Sequence, residues 1–297
     1  MTPIEDFSPS FLSSLSHISI PHHVGFQWSN VATAINVLNT VKREGAFFIL
    51  SFTANVVASG LRGVITDMVR RGLVDLIITT PGALEHDVMK TFGPYYQASF
   101  DLDDRVLHEK GLNRVGNIVI PNERYVKLEQ FMFEVFEDYN TPLSIARRMG
   151  ERIEDERSFL YWAFKNNVDV FCPGIVDGAI GLNFFFFKQS HPQAVLDYSE
   201  DMLYLGKRIV NVERSGAWVI GGGISKHFTI GLNLLKQGLD YAVYITTANE
   251  WDGSLSGART REAVSWGKIK EEAKHVTVYG EATTIVPLVY AQAFLKE

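Results

Sequence analysis

Ala217-Trp218-Val219-Ile220, followed at once by Gly221-Gly222-Gly223, is the stretch that decides the fold. Four apolar residues in a row, without alternation, read as a strand buried on both faces, the habit of parallel sheets. Glycines directly after a strand and before a helix let a ligand approach the backbone, and the helix N-terminus attracts a phosphate. Gly221-Gly222-Gly223-Ile224-Ser225-Lys226 lacks the third spaced glycine of a dinucleotide fingerprint and is not a phosphate-binding P-loop. The residues alone therefore leave a phosphate or dinucleotide site and an ordinary strand-to-helix turn both open.

The same grammar recurs on either side. Upstream, Ala46-Phe47-Phe48-Ile49-Leu50-Ser51 is an apolar run of strand length. Leu61, Val64, Ile65 and Met68 then follow at helical spacing up to Gly72, and Val74-Asp75-Leu76-Ile77-Ile78-Thr79 is broken by Pro81-Gly82. Asp169–Cys172 ends at Pro173-Gly174. Downstream, Tyr241–Ile245 and Val276–Tyr279 are two more strands. A helix is expected from Thr141-Pro142, with Thr as N-cap and Pro at the first helical position. Apolar strands alternating with helices imply an α/β fold: a doubly wound, mostly parallel, Rossmann-like sheet with helices on both faces. No repeat or linker divides residues 1–297, so one domain is expected, with residues 1–25, rich in Ser and Pro and without a strong period, as an N-terminal arm or irregular cap.

Composition narrows the class. The chain has 297 residues, an ordinary apolar fraction of 46% and a net charge of −6 with no long basic run, which argues against nucleic acid as the main partner. The single cysteine, Cys172, rules out an intrachain disulfide and suits a reducing, cytoplasmic setting. The N-terminus lacks a basic region followed by an apolar block, so no secretory signal is read. Phe184–Phe187 is too short to span a bilayer and reads as core or subunit interface. His22-His23 has no further ligand at metal spacing, so no metal is expected.

In an open parallel sheet, ligands bind beyond the carboxyl ends of the strands. Asn55 and Ser59, Thr80 and Gly82, Asp177, Gly221–Gly223, Thr247-Ala248 and Glu281 each follow one of the strands above. A further stretch, Glu262-Ala-Val-Ser-Trp266-Gly-Lys268, places a lysine just after a Trp-Gly pair. A lysine attacks only as the neutral amine, and burial beside an aromatic ring is one physical route to that state.

Ser265-Trp266-Gly267-Lys268, the triple glycine with Lys226-His227, and Asp252-Gly253-Ser254 before Ser256-Gly257-Ala258-Arg259 occur here in one order and spacing. With Thr53–Arg62 and Thr79–Asp87, they make the chain resemble deoxyhypusine synthases from about Phe26 to the C-terminus. The resemblance implies NAD-dependent transfer of the 4-aminobutyl group of spermidine to one lysine of the translation initiation factor 5A precursor, through an enzyme-lysine imine. It implies Lys268 as the covalent lysine, desolvated by Trp266, and His227 as the acceptor of the amine proton, since histidine exchanges protons near neutral pH. For NAD it implies Ala54, Asn55, Val56, Val57, Ala58, Thr80, Pro81, Gly82, Asp177, Gly222, Thr247, Ala248, Asp252, Glu281 and Ala282. For the amine it implies Glu85, His86, Leu182, Gly253, Ser254, Leu255, Glu262 and Trp266. It also implies a homotetramer built as a dimer of dimers.

Three positions depart from the family pattern. Leu182 and Leu255 stand where the family carries acids that hold ammonium groups, and His86 stands where it often has a second Glu. Losing one partner of a buried charge pair costs about 2–5 kcal/mol, roughly thirtyfold in affinity or more. Other acids compensate, or the amine differs, agmatine being one example. Two further readings stay open: transfer to a small amine, as homospermidine synthases do, and a non-catalytic NAD-binding paralogue. Retention of Lys268, His227 and Trp266 together argues against the last.

Overall fold

Phe47–Phe52 lies inside a six-stranded sheet because every second side chain faces one of two apolar layers. Phe48, Leu50 and Phe52 join the layer that also holds Trp218, Val243 and Val278, while Ile49 joins Val219, Ala242 and Tyr244 on the other face. The computed structural model describes residues 1–137 and 140–296. All strand pairs in this sheet are parallel. The spatial order is Ile269–Tyr279, Leu239–Thr246, Ser215–Ile220, Phe47–Phe52, Leu76–Ile78 and Asp169–Phe171. Numbered along the chain, that is the 3-2-1-4-5-6 order of dinucleotide-binding folds, with the direction of winding switching between Phe47–Phe52 and Ser215–Ile220.

Helices cover both faces, as expected of strands apolar throughout. On one face lie Gln27–Glu44, Arg62–Arg70 and Ala282–Tyr290; on the other lie Ser199–Val210 and Gly223–Leu232. Pro142–Arg152 starts as expected, with Thr141 Oγ1 accepting from Ser144 N at 3.2 Å and the Ser144 hydroxyl accepting from Thr141 N at 3.0 Å. Gln27–Glu44 places Lys42 and Arg43 in its last turn, against the negative end of the helix dipole, and stops at Gly45 in a left-handed conformation. Among the described residues no helix is long and apolar enough to cross a membrane.

Two features were not read from the sequence. A second, antiparallel sheet joins Thr2–Pro3, Tyr96–Gln97, Ile118–Pro121 and Leu112–Val115. Strands of two to four residues are too short to show a period. The first residues are also not an irregular cap. Pro9–Ser16 is a helix started by the Ser8 hydroxyl, and its end is pinned by Gln292 Nε2, which donates to Leu15 O at 2.6 Å and Ile18 O at 2.9 Å. In the aromatic run, Phe187 is buried and Phe184 half-buried, while Phe185 and Phe186 are exposed.

Candidate active site

The carboxyl ends of the three adjacent strands at Ile220, Phe52 and Ile78 carry the loops Gly221–Gly223, Thr53–Ala58 and Thr79–Gly82. The backbones here approach very closely. A Cβ on Gly82 would fall 2.8 Å from Ala54 Cβ, and one on Gly222 would fall 2.5 Å from Ser256 Cα, so both positions need glycine for space. Thr53 Oγ1 donates to Asn55 Oδ1 at 2.6 Å. Thr80 precedes the helix Pro81–Phe92, yet its hydroxyl caps nothing, and it is buried without a partner. An orphaned hydroxyl beside a glycine cradle is a polar contact waiting for a ligand.

Two carboxylates expected to face ligands are engaged by the protein. Glu85 is buried and accepts from Ile180 N at 2.9 Å at the start of the helix Ala179–Ser190. Burial raises its carboxyl, against the pull of the Ile180 and Ala179 amides. Glu281 accepts from the amides of Thr283 and Thr284, both at 3.0 Å, and so caps Ala282–Tyr290. Burial pushes the Glu281 carboxyl up, but these bonds and those from the two hydroxyls win and hold it below the usual range.

His86 is buried, with Nδ1 2.9 Å from the Tyr95 hydroxyl. Desolvation, helped by Lys90, pushes it from 6.5 down to about 4, so at neutral pH it presents an uncharged imidazole. The unfolded chain binds this proton between those two values and the folded chain does not. Stability from this group is therefore complete above pH 6.5 and falls as pH drops towards 4, by about 3 kcal/mol. Urea unfolding at pH 7 and pH 4 is expected to show that loss in the wild type and a smaller one in His86→Gln. Equal losses in the two proteins exclude His86 as its source.

A second cavity, of about 260 Å³, is lined by Lys226, His227, Tyr244, Leu255, Arg259, Glu262, Trp266 and Lys268, with Ile230, Ala258 and Ala263. It brings together five of the expected residues, Lys268, His227, Leu255, Glu262 and Trp266. His227 lies on Gly223–Leu232, Glu262 on Thr260–Ser265, and Lys268 directly before Ile269–Tyr279. Lys268 thus enters from the amino end of the last strand, level with Leu239, whose amide donates to Lys268 O at 3.0 Å. Its Nζ lies 5.3 Å from the centre of the Trp266 ring. Trp266 is 66% exposed, so within one chain it does not provide the expected desolvation. The Glu262 carboxylate has no hydrogen bond or ion pair among the described residues and is free for an ammonium.

The desolvated lysine is instead Lys226. It is 1% exposed, and its Nζ donates to Leu255 O at 2.7 Å and Ala258 O at 2.6 Å, 4.4 Å over the Tyr244 ring. Burial pushes its amine down to about 8, with Glu262 opposing. Sequence reading quoted Lys226 but gave it no role. Its signal was helical spacing: it stands four residues before buried Ile230, on the face turned inwards. The loop it clamps is held from outside as well. Arg259 pairs with Glu250, and both reach the Tyr279 hydroxyl.

The other expected residues lie elsewhere. Asp177 and Leu182 are exposed beyond the far edge strand Asp169–Phe171, Leu182 by 62%. Thr247, Ala248, Glu281 and Ala282 follow the two strands at the opposite side of the sheet. Asp252 is exposed and accepts from Ser254 N at 2.8 Å, turning the loop at Gly253. In one chain the expected ligand contacts therefore form separate groups.

The chain is similar to known proteins along nearly its whole length. Residues 18–293 match the model of the family described as deoxyhypusine synthase. A protein of Sulfolobus acidocaldarius named "Probable deoxyhypusine synthase" is 42% identical, covering 97% of this chain and 96% of the relative. One of Schizosaccharomyces pombe with the same name is 40% identical, over 92% of this chain and 85% of the relative. A crystal structure from Entamoeba histolytica, assigned as a deoxyhypusine synthase, superposes with a TM-score of 0.68 at 26% identity, over 96% of this chain and 92% of its own. A family match across nearly the whole chain, joined to a lysine, a histidine and a free carboxylate around one cavity, makes this an enzyme of the deoxyhypusine synthase family.

Proposed function

We propose that the enzyme transfers the 4-aminobutyl group of spermidine to a lysine of the translation initiation factor 5A precursor, with NAD as cofactor. The observation that carries this reading is the convergence of Lys268, His227, Glu262 and Trp266 on one cavity. In it, Glu262 receives the ammonium of the donor and Trp266 offers its ring face to the cation. His227 takes the proton that the donor amine releases. Lys268 displaces 1,3-diaminopropane from the oxidised donor and holds the aminobutyl group as an imine, and the acceptor lysine then displaces Lys268. Bound NAD supplies hydride acceptance and return, so that it is not consumed.

The switch-point loops fit such a cofactor. The Thr80 hydroxyl is buried and unpartnered, and the Gly82 and Gly222 backbones leave no room for a side chain. Asn55 and Pro81 stand in two of these loops. Glu281 and Asp177, however, follow strands five positions apart, about 24 Å at the usual strand spacing. A single pocket in one chain does not span both, which supports a site completed by a second copy within a tetramer. The exposed Phe185 and Phe186 offer apolar surface for such an interface. Light scattering that finds a fully active monomer excludes this.

Leu255 in the cavity wall favours a second reading of the donor, an amine of lower charge such as agmatine. Incubation with NAD, labelled spermidine or agmatine, and either the factor precursor or putrescine decides among these. Label in the precursor protein is the expected result. Label in homospermidine moves the acceptor to a small amine, and no NAD reduction with either donor sinks the catalytic reading. Leu255→Asp is expected to raise the preference for spermidine over agmatine by roughly tenfold or more, as a carboxylate facing a desolvated ammonium would.

A further inference from the structure

We propose that the first eight residues are a positioning strap for the cofactor segment Ala54–Ala58; this rests on the NAD reading above. The chain at residues 2–7 runs along the back of the turn Val57–Leu61 and the helix that follows it. Thr2–Pro3 pairs with Tyr96–Gln97, and Ile4 N donates to Tyr95 O at 2.8 Å. Phe7 N donates to Gly60 O at 3.1 Å. The packing is so close that a Cβ on Gly63 would fall 2.1 Å from Phe7 O.

The chemical link is Lys90. Its ammonium donates to Asp6 Oδ1 at 2.6 Å and to Val57 O at 3.1 Å, so one buried cation ties the strap to the backbone of the cofactor segment. Val57 follows Ala54 and the exposed Asn55 just beyond the carboxyl end of Phe47–Phe52, and it begins the π-turn Val57–Leu61, where the helical hydrogen-bond pattern is loosened. Such a turn needs outside support to keep one geometry.

Among the described residues, Asp6 and Asp87 are the carboxylates that act on Lys90. Asp87 is the nearby alternative, but it already accepts from Arg62 Nε at 2.6 Å, Ser158 Oγ at 2.5 Å and Leu160 N at 3.0 Å. Arg62 itself reaches Asp6 at 3.5 Å, and its Nη2 is buried without a partner. Removing the Asp6 charge therefore leaves the buried Lys90 ammonium facing only an occupied carboxylate among the described residues. Lys90 then withdraws from Val57 or loses its proton, and in either case the turn loses its brace.

The test separates positioning from plain stability with two single variants of the full-length protein. Asp6→Asn removes the link at the turn. Gln292→Ala frees the end of the first helix, beyond the strap, by stripping the donor to Leu15 O, Ser16 O and Ile18 O. NAD affinity is measured by calorimetry, and hydrogen exchange follows the amides of residues 54–60. Asp6→Asn is expected to weaken NAD binding by about tenfold or more and to speed exchange in that segment. Gln292→Ala is expected to lower the melting temperature with both readouts unchanged. Unchanged NAD affinity and exchange in Asp6→Asn, or equal changes in both variants, overturn the strap's role. Wild-type protein that binds no NAD overturns instead the cofactor reading on which it rests.

Discussion

Lys268→Arg is expected to abolish the proposed aminobutyl transfer and to leave NAD binding in place. Arginine keeps the length and the charge at this position, and the guanidinium can still lie over Trp266. It cannot be deprotonated in a protein, so it forms no imine. The cavity keeps Glu262 and His227, and the switch-point loops lie on other strands, so the donor and the cofactor still bind. Borohydride trapping with labelled spermidine is expected to mark Lys268 in the wild type and nothing in the variant. Transfer at the wild-type rate by Lys268→Arg removes this lysine from the mechanism. Trapping that moves to Lys226 assigns the covalent role to the buried lysine beside it.

Asp87→Ala is the most destabilising single change expected outside the cavity. Asp87 is fully buried on the helix Pro81–Phe92, where it holds Arg62 and caps the helix Phe159–Lys165 through Ser158 Oγ and Leu160 N. Removing it strands the Arg62 guanidinium, 1% exposed, with a single carboxylate 3.5 Å away. Breaking a buried pair from one side costs about 3–5 kcal/mol, which in a chain of this size lowers the melting temperature by roughly 10 °C. Arg71→Ala offers the contrast. Its side chain is 43% exposed, and Arg70 and Tyr290 still hold Asp67, so the loss is expected to stay under about 1 kcal/mol. Thermal unfolding followed by circular dichroism compares the two; similar losses refute the central place given to Asp87.

Much of the fold was legible because a parallel strand has no solvent face. Phe47–Phe52 and Ser215–Ile220 must be apolar along their length, and that demand writes itself into consecutive residues. The N-cap at Thr141 was equally readable, because capping is decided by residues within one turn. Site residues were legible only as residue types in order. What each side chain does depends on partners distant in the chain. Glu85 and Glu281 read as ligand contacts, yet their carboxylates close helix ends. Trp266 read as a burying wall for Lys268, yet its ring lies open while Lys226, passed over, is the desolvated amine. The arm read as irregular because its strand is two residues long and its ion pair spans 84 positions.

The sequence by itself determined the layered architecture and the family, since periodicity and local spacing carry both. The tertiary structure decided which expected contacts share a cavity, which are spent on helix ends, and which lie on opposite edges of the sheet. Strand order, burial and desolvation are properties of the packed whole, and no local window of residues contains them.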